Sequence, residues 1–198
     1  MNLELTNLHV LITGGSKGIG LACARGFIAE GARVTLVSRT LETLQSAQRE
    51  LQSATPSATV NIIPADLRNA AEAERMVEAV ERDFGAVDVL VNSAGAAKRT
   101  PAAELTTDAW HDAMQAKFFT YIHVINPLIK KMGARGRGAV VNVVGAGGKV
   151  AAVTHLAGGS ANAALMLASS GLAAAYAGKG VRVNAVNPGL TLTERLQE

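Results

Sequence analysis

Apolar positions along this chain fall into two alternating patterns. Short, nearly unbroken apolar runs occur at His9 to Thr13, Arg33 to Ser38, Thr59 to Ile63, Asp88 to Val91, Ala139 to Val144 and Val181 to Val186. Runs of that length, rich in β-branched residues, predict strands buried on both faces. Between them the apolar residues recur every three or four positions. Leu21 to Ala29 follows the first run. Thr40 to Ser53 places Leu41, Leu44, Ala47 and Leu51 on one side, and Asn69 to Phe84 places Met76, Val77 and Val80 inward. A long helix is predicted from Thr106 or Thr107 to about Met132, kinked at Pro127, and another from Ser160 to Ala177. Gly158 and Gly159 are poor helix formers, so Ser160 is the predicted start and cap of that last helix.

Alternation of strand and helix predicts an α/β fold, a Rossmann-type doubly wound parallel sheet with helices on both faces. In such folds ligands bind beyond the carboxyl ends of the strands. Gly14, Arg39, Asp66, Asn92, Gly145 and Pro188 all fall at such ends. The first end carries Thr13-Gly14-Gly15-Ser16-Lys17-Gly18-Ile19-Gly20, running straight into a helix. Glycines let the backbone turn sharply and approach a ligand, and a helix N-terminus favours phosphate. The spacing is G-x-x-x-G-x-G and lacks the G-K-[ST] ending of a P-loop.

Composition changes this picture little. The 198 residues are expected to form one domain, 1–198. The charges, 19 basic and 16 acidic, are scattered, with no basic stripe that would suit nucleic acid. Ala161 to Ala177 is interrupted by Asn162, Ser169, Ser170 and Gly171, which fits a buried helix rather than a membrane span. The start, Met1 to Glu4, reads as no signal peptide. One cysteine, Cys23, excludes an internal disulfide and suits a cytoplasmic protein. His9, His111 and His123 have no ligand-like spacing, so no metal is expected.

Taken together, Thr13-Gly14-x-x-x-Gly18-x-Gly20, Asp66-Leu67, Asn92-x-Ala94-Gly95, Trp110 and Val183-Asn184-x-Val186-Asn187-Pro188-Gly189 resemble the short-chain dehydrogenase/reductase family over essentially the whole chain. The resemblance implies a nicotinamide dinucleotide site. Gly14, Ser16, Lys17, Gly18, Ile19 and Gly20 would hold the pyrophosphate side, and Asp66 and Leu67 the adenine. Asn92, Ala94 and Gly95 would line the cleft, and Pro188, Gly189 and Thr193 would lie by the nicotinamide. An enzyme preferring NAD carries an acid after the second strand. Here Ser38 and Arg39 stand there and Lys17 sits in the glycine turn, so NADP is expected over NAD.

The family's catalytic residues are Asn, Ser, Tyr and Lys, the last two as Tyr-x-x-x-Lys. Alignment on Trp110, on the fifth strand and on Asn162-Ala163-Ala164-Leu165 puts Lys117, Gly145, Gly158 and Asn162 at those places, so all four are replaced. Lys117 and Asn162 look like an exchange of the family's asparagine and lysine. Lys117 is either a cation near the nicotinamide ribose or a solvated helix lysine. His155, on the loop before Gly158, is a candidate proton donor. Lys149 is a candidate anchor for an anionic substrate. Two readings stay open: an oxidoreductase with non-standard catalytic groups, acting on an unknown small molecule, or an inactive cofactor-binding pseudoenzyme used for sensing or assembly. The resemblance also implies a homo-dimer or homo-tetramer. It further implies a substrate-covering C-terminal lobe beyond Glu198, so either the sequence is truncated there or the lobe is absent.

Overall fold

The computed structural model describes residues 3–95 and 97–193. The expectations drawn from Met1 and from Glu198 therefore lie outside the described residues. Six parallel strands form one sheet: β1 (His9–Thr13), β2 (Arg33–Ser38), β3 (Val60–Pro64), β4 (Val89–Asn92), β5 (Gly138–Val143) and β6 (Val181–Val186). Their order is β3-β2-β1-β4-β5-β6. The direction of strand addition reverses between β1 and β4, which makes their carboxyl ends the switch point where doubly wound folds bind ligands.

The strand sequences explain the double covering. All five residues of β1 are buried. Val10 and Ile12 pack into one apolar cluster with α1 (Gly18–Ala29) and α2 (Leu41–Ala54). Leu11, between them, packs into the other with α3 (Ala70–Phe84), α5 (Thr120–Arg135) and α6 (Leu156–Tyr176). Side chains alternate across a strand, so a strand that is apolar at every position needs a helix layer on each side.

Two helix expectations change. The long helix is divided into α4 (Thr107–Ala113), a π segment (Met114–Phe119) and α5. Its irregularity sits at the π segment, and α5 runs through Pro127. Gly95 supplies a reason: a Cβ there would collide with the Ala116 carbonyl, so the chain after β4 presses against the π segment. Helix α6 begins at Leu156, not Ser160, with Gly158 and Gly159 inside its first turn. Close packing overrides propensity here, because a Cβ on Gly159 would lie 2.7 Å from the Gly147 carbonyl oxygen.

A buried polar chain ties the strand ends to α6. The Thr13 hydroxyl donates to Asn92 Oδ1 at 3.2 Å, and Asn92 Nδ2 donates to Asn142 Oδ1 at 3.0 Å. Asn142 Nδ2 donates to the Ser169 hydroxyl at 2.9 Å, which donates to the Leu165 carbonyl at 2.7 Å. All four side chains are buried, so each needs the partner it has.

Candidate functional site

The strand order lines up the predicted positions along one edge of the sheet. From β3 to β6 they run Asp66, Arg39, Gly14, Asn92, Gly145 and Pro188. At the β1 end, Gly14 has φ +65° and a Cβ on it would lie 2.8 Å from the Ser93 carbonyl oxygen. Gly20 packs so tightly on Gly14 that a Cβ would strike the Gly14 carbonyl. The turn is therefore shaped by the absence of side chains. The N-cap residue Lys17 makes no side-chain capping bond to α1. An α-helix leaves its first four N–H groups without internal partners, so these are left to a ligand.

Lys17 and Arg39 are exposed at the ends of neighbouring strands and have no ion pair or hydrogen bond among the described residues. The Ser38 hydroxyl donates to the Thr40 carbonyl at 3.4 Å, so it is partly engaged within its own turn. Asp66 Oδ1 accepts the Arg68 N–H at 3.1 Å, and the Asp66 N–H is held by Glu72 at 2.8 Å. Leu67 is buried beneath it. On the β4 side, Asn92 is buried in the polar chain rather than open to a ligand. The N–H groups of Ser93 and Ala94 both donate to the Thr13 hydroxyl.

The remaining predicted residues meet around a cleft of about 520 Å³, lined among others by Ile19, Gly95, Lys117, Gly145, His155 and Asn162. Gly158, Pro188 and Gly189 also border it. Lys149 does not; it is exposed beyond the glycine turn. Thr193 is half-buried after β6 and outside the lining. Arg99, which the strand-end pattern did not single out because it lies on a loop of no regular period, does line the cleft.

Three contacts decide what this end of the cleft can do. First, the His155 imidazole occupies the space a side chain at position 158 would need. A Cβ on Gly158 would collide with that ring and lie 2.7 Å from the Ala97 Cβ. A Cβ on Gly147 would also lie 3.0 Å from the ring. The space beside Gly158 is thus filled by an imidazole seated between glycines.

Second, Lys117 Nζ donates to the Tyr121 hydroxyl at 3.2 Å and to the Val143 carbonyl at 3.3 Å. Tyr121 donates to the same carbonyl at 2.6 Å. Lys117 is therefore a fixed cation at the cleft wall and not a solvated helix lysine. Burial pushes the Tyr121 hydroxyl well above the usual tyrosine range, and Tyr121 does not line the cleft. It anchors the ammonium.

Third, Asn162 Oδ1 is buried and has no hydrogen-bond partner. A Cβ on Gly145 would lie 3.3 Å from Asn162 Nδ2, and Gly145 itself has φ +122°, a conformation strained for any other residue. A buried, unsatisfied amide bordering a cleft marks a place where a ligand hydroxyl can donate.

Two other histidines, His9 and His123, are engaged elsewhere. His9 is held by the Gly85 carbonyl and the Thr35 hydroxyl, both at 2.8 Å. His123 Nδ1 meets the Leu67 carbonyl at 2.9 Å. Among the described residues, no helix is long and apolar enough to cross a membrane.

Comparison with known proteins agrees with this geometry. Residues 8–198 match the family model for short chain dehydrogenase. D-threitol dehydrogenase of Mycolicibacterium smegmatis is 32% identical over 193 residues, 98% of this chain and 74% of that protein. Among solved structures, a NADPH-bound short chain oxidoreductase of Pseudomonas aeruginosa PAO1 containing an atypical catalytic center matches with a TM-score of 0.91. It is 31% identical, over 97% of this chain and 76% of that one. L-sorbose reductase of Gluconobacter frateurii, complexed with NADPH and L-sorbose, matches with a TM-score of 0.92 and 31% identity, over 98% and 74%. The parallel sheet, its strand order and these matches agree: the chain belongs to the short chain dehydrogenase family.

Proposed function

We propose that this protein is an NADP(H)-binding oxidoreductase in which His155 and Lys117 stand in for the family's usual catalytic groups. The observation that carries this reading is the His155 ring, seated between Gly147 and Gly158 where the resemblance implies the catalytic tyrosine. Solved relatives of the same fold are NADPH complexes, and the residues here fit that cofactor. The glycine turn with its open helix terminus suits the pyrophosphate. Arg39 and Lys17, with no acid after β2, suit a 2′-phosphate. The unsatisfied Asn162 amide suits a ribose hydroxyl. When bound, the reduced nicotinamide supplies hydride.

The chain's own residues then do the rest. His155 holds the proton that a reduced carbonyl oxygen must receive, the general-acid role that is worth about 10²–10⁴-fold in rate. Lys117, pinned by Tyr121 and the Val143 carbonyl, sets a positive charge where negative charge develops on that oxygen. Gly145 and Gly147, with only the Ala146 methyl between them, keep this wall of the cleft nearly free of side chains.

The pseudoenzyme is the second reading, supported by Gly145, whose φ of +122° disfavours a serine in that position. The two readings separate in one experiment. NADPH and NADP⁺ binding is measured by calorimetry, then NADPH oxidation is followed with a panel of ketones, for the unmutated protein, His155→Ala and Lys117→Ala. Turnover lost in both variants with binding retained supports the enzyme. Turnover unchanged in both sinks the substitute groups, and tight binding with no turnover on any substrate favours the pseudoenzyme. We also propose a cytoplasmic homo-dimer or homo-tetramer. Helix α6 exposes Leu167, 77% accessible, among Ser160, Ala163, Ser170 and Ala174. Light scattering at micromolar concentration checks this, and a monomer would count against it.

A further inference from the structure

The substrate end of the cleft carries more positive charge than hydride chemistry needs. The cations Arg99 and Lys117 and the His155 imidazole border it, and among the described residues no Asp or Glu does. Lys117 is accounted for by its bonds to Tyr121 and Val143. Arg99 is exposed and has no ion pair or hydrogen bond among the described residues.

Its place is nonetheless fixed by its backbone. The Thr100 N–H donates to the Thr154 carbonyl at 2.9 Å, which stitches the loop bearing Arg99 to the loop bearing His155. Ala97, two residues before Arg99, packs by the slot that holds the His155 ring. Along this stretch Lys98 and Thr100 border a separate cavity of about 450 Å³, while Arg99 borders the cleft. A dinucleotide's phosphates belong to the β1 turn, so they do not neutralise this end. The neighbouring walls at Val150, Ala152 and Leu190 are apolar and carry no counter-charge.

We propose that the substrate is a carbonyl compound carrying a carboxylate, an oxo acid. Arg99 meets the carboxylate, and the carbonyl lies beside His155. This rests on the oxidoreductase reading above. A guanidinium pairs with a carboxylate through two parallel hydrogen bonds, which orients the substrate as well as holding it. Reduction adds a hydride from the reduced nicotinamide to the carbonyl carbon and a proton from His155 to the oxygen. The C=O π bond is replaced by C–H and O–H bonds; the substrate is reduced and the nicotinamide is oxidised.

The test pairs charged and uncharged probes of similar size: 2-oxobutanoate and 4-oxopentanoate against 2-butanone and 2-pentanone. NADPH oxidation is followed with each. Separately, calorimetry measures binding of each oxo acid to the protein saturated with NADP⁺. The oxo acids are expected to be favoured at least about tenfold in kcat/KM, and Arg99→Ala to remove that preference by raising KM while kcat and NADP⁺ affinity stay within about threefold. Arg99→Lys should restore part of it, and added salt should weaken it. Binding of oxo acids that depends on Arg99 but yields no turnover supports Arg99 as the carboxylate site while overturning the oxidoreductase reading. Turnover on the neutral ketones with no preference for oxo acids does the reverse. Oxo-acid binding that Arg99→Ala leaves unchanged, or no oxo-acid binding at all, overturns the inference.

Discussion

The ends of β3, β2 and β1 and the ends of β4, β5 and β6 solve different problems with different materials. On the first side the chain offers backbone and open charge. Glycines 14 and 20 shape a turn by having no side chains, α1 starts without a side-chain cap, and Lys17 and Arg39 are uncommitted among the described residues. On the second side several polar groups are already engaged, with the Asn162 amide and Arg99 left open. Lys117 is bonded to Tyr121 and Val143, Asn92 to Thr13 and Asn142, and the His155 ring is wedged among Gly147, Gly158 and Ala97. The first side suits a phosphate whatever the chemistry. The second is an assembly in which Lys117, Gly145 and Gly158 are matched to their neighbours, so single substitutions there should fail.

The comparison predicts that the two sides can be broken separately. The largest effect is expected from His155→Ala, which should lower turnover about 100-fold or more while NADPH affinity holds. Steady-state kinetics beside a binding titration check it, and a parallel loss of affinity would show that the sides are coupled. Next, Gly158→Tyr alone should destabilise the protein by about 1–3 kcal/mol, because its side chain needs the space of the His155 ring. Adding His155→Gly should recover much of that loss. Urea midpoints of the single and double variants decide, and simple additivity would refute the shared slot.

On the other side, Arg39→Ala should narrow the preference for NADP(H) over NAD(H) about tenfold and leave turnover at saturating cofactor nearly unchanged. Equal affinity for both cofactors in the unmutated protein would remove the basis for it. The smallest effect sharpens the comparison from outside both sides. His9 lies at the opposite end of β1, buried, and burial depresses its pKa below the ordinary 6.5. The unfolded chain therefore takes up this proton first as pH falls. Its contribution is present above about pH 6.5 and is lost as pH drops toward its folded pKa. Thermal midpoints from about pH 7 to about pH 5 should fall less steeply in His9→Gln than in the unmutated protein.

The fold and the glycine turn after β1 were legible in the sequence because both rest on local patterns. An apolar run bounded by glycine is a strand end whatever packs on it, and β6 lies at the residues its run predicted. The cleft around His155 was only partly legible. Side-chain periodicity places Gly158 and Gly159 as helix breakers, but what keeps them helical is the glycine turn 145–148 lying against α6, a contact between segments distant in sequence. His155 could be named as a candidate from its loop. That its ring fills the place of residue 158 depends on three backbones meeting. Arg99, Tyr121, Asn142 and Ser169 lay in no recognisable motif, and their roles come from partners across the sheet or across the cleft.

The chain of hydrogen bonds from Thr13 through Asn92 and Asn142 to Ser169 has a consequence for how the sheet assembles. β1, β4 and β5 are short apolar runs, and greasy strands slide past one another with little loss of buried surface. In the native alignment Thr13 stands opposite Asn92, and Asn92 opposite Asn142. Slipping β5 by one residue would set Asn92 against Val141 or Val143 and strand two amides in the interior. Each orphaned group costs about 1–3 kcal/mol, a sizeable share of the roughly 5–15 kcal/mol that holds a domain together. The polar thread thus acts as a proofreader for misaligned strands during folding, rejecting alternatives that hydrophobicity alone would accept.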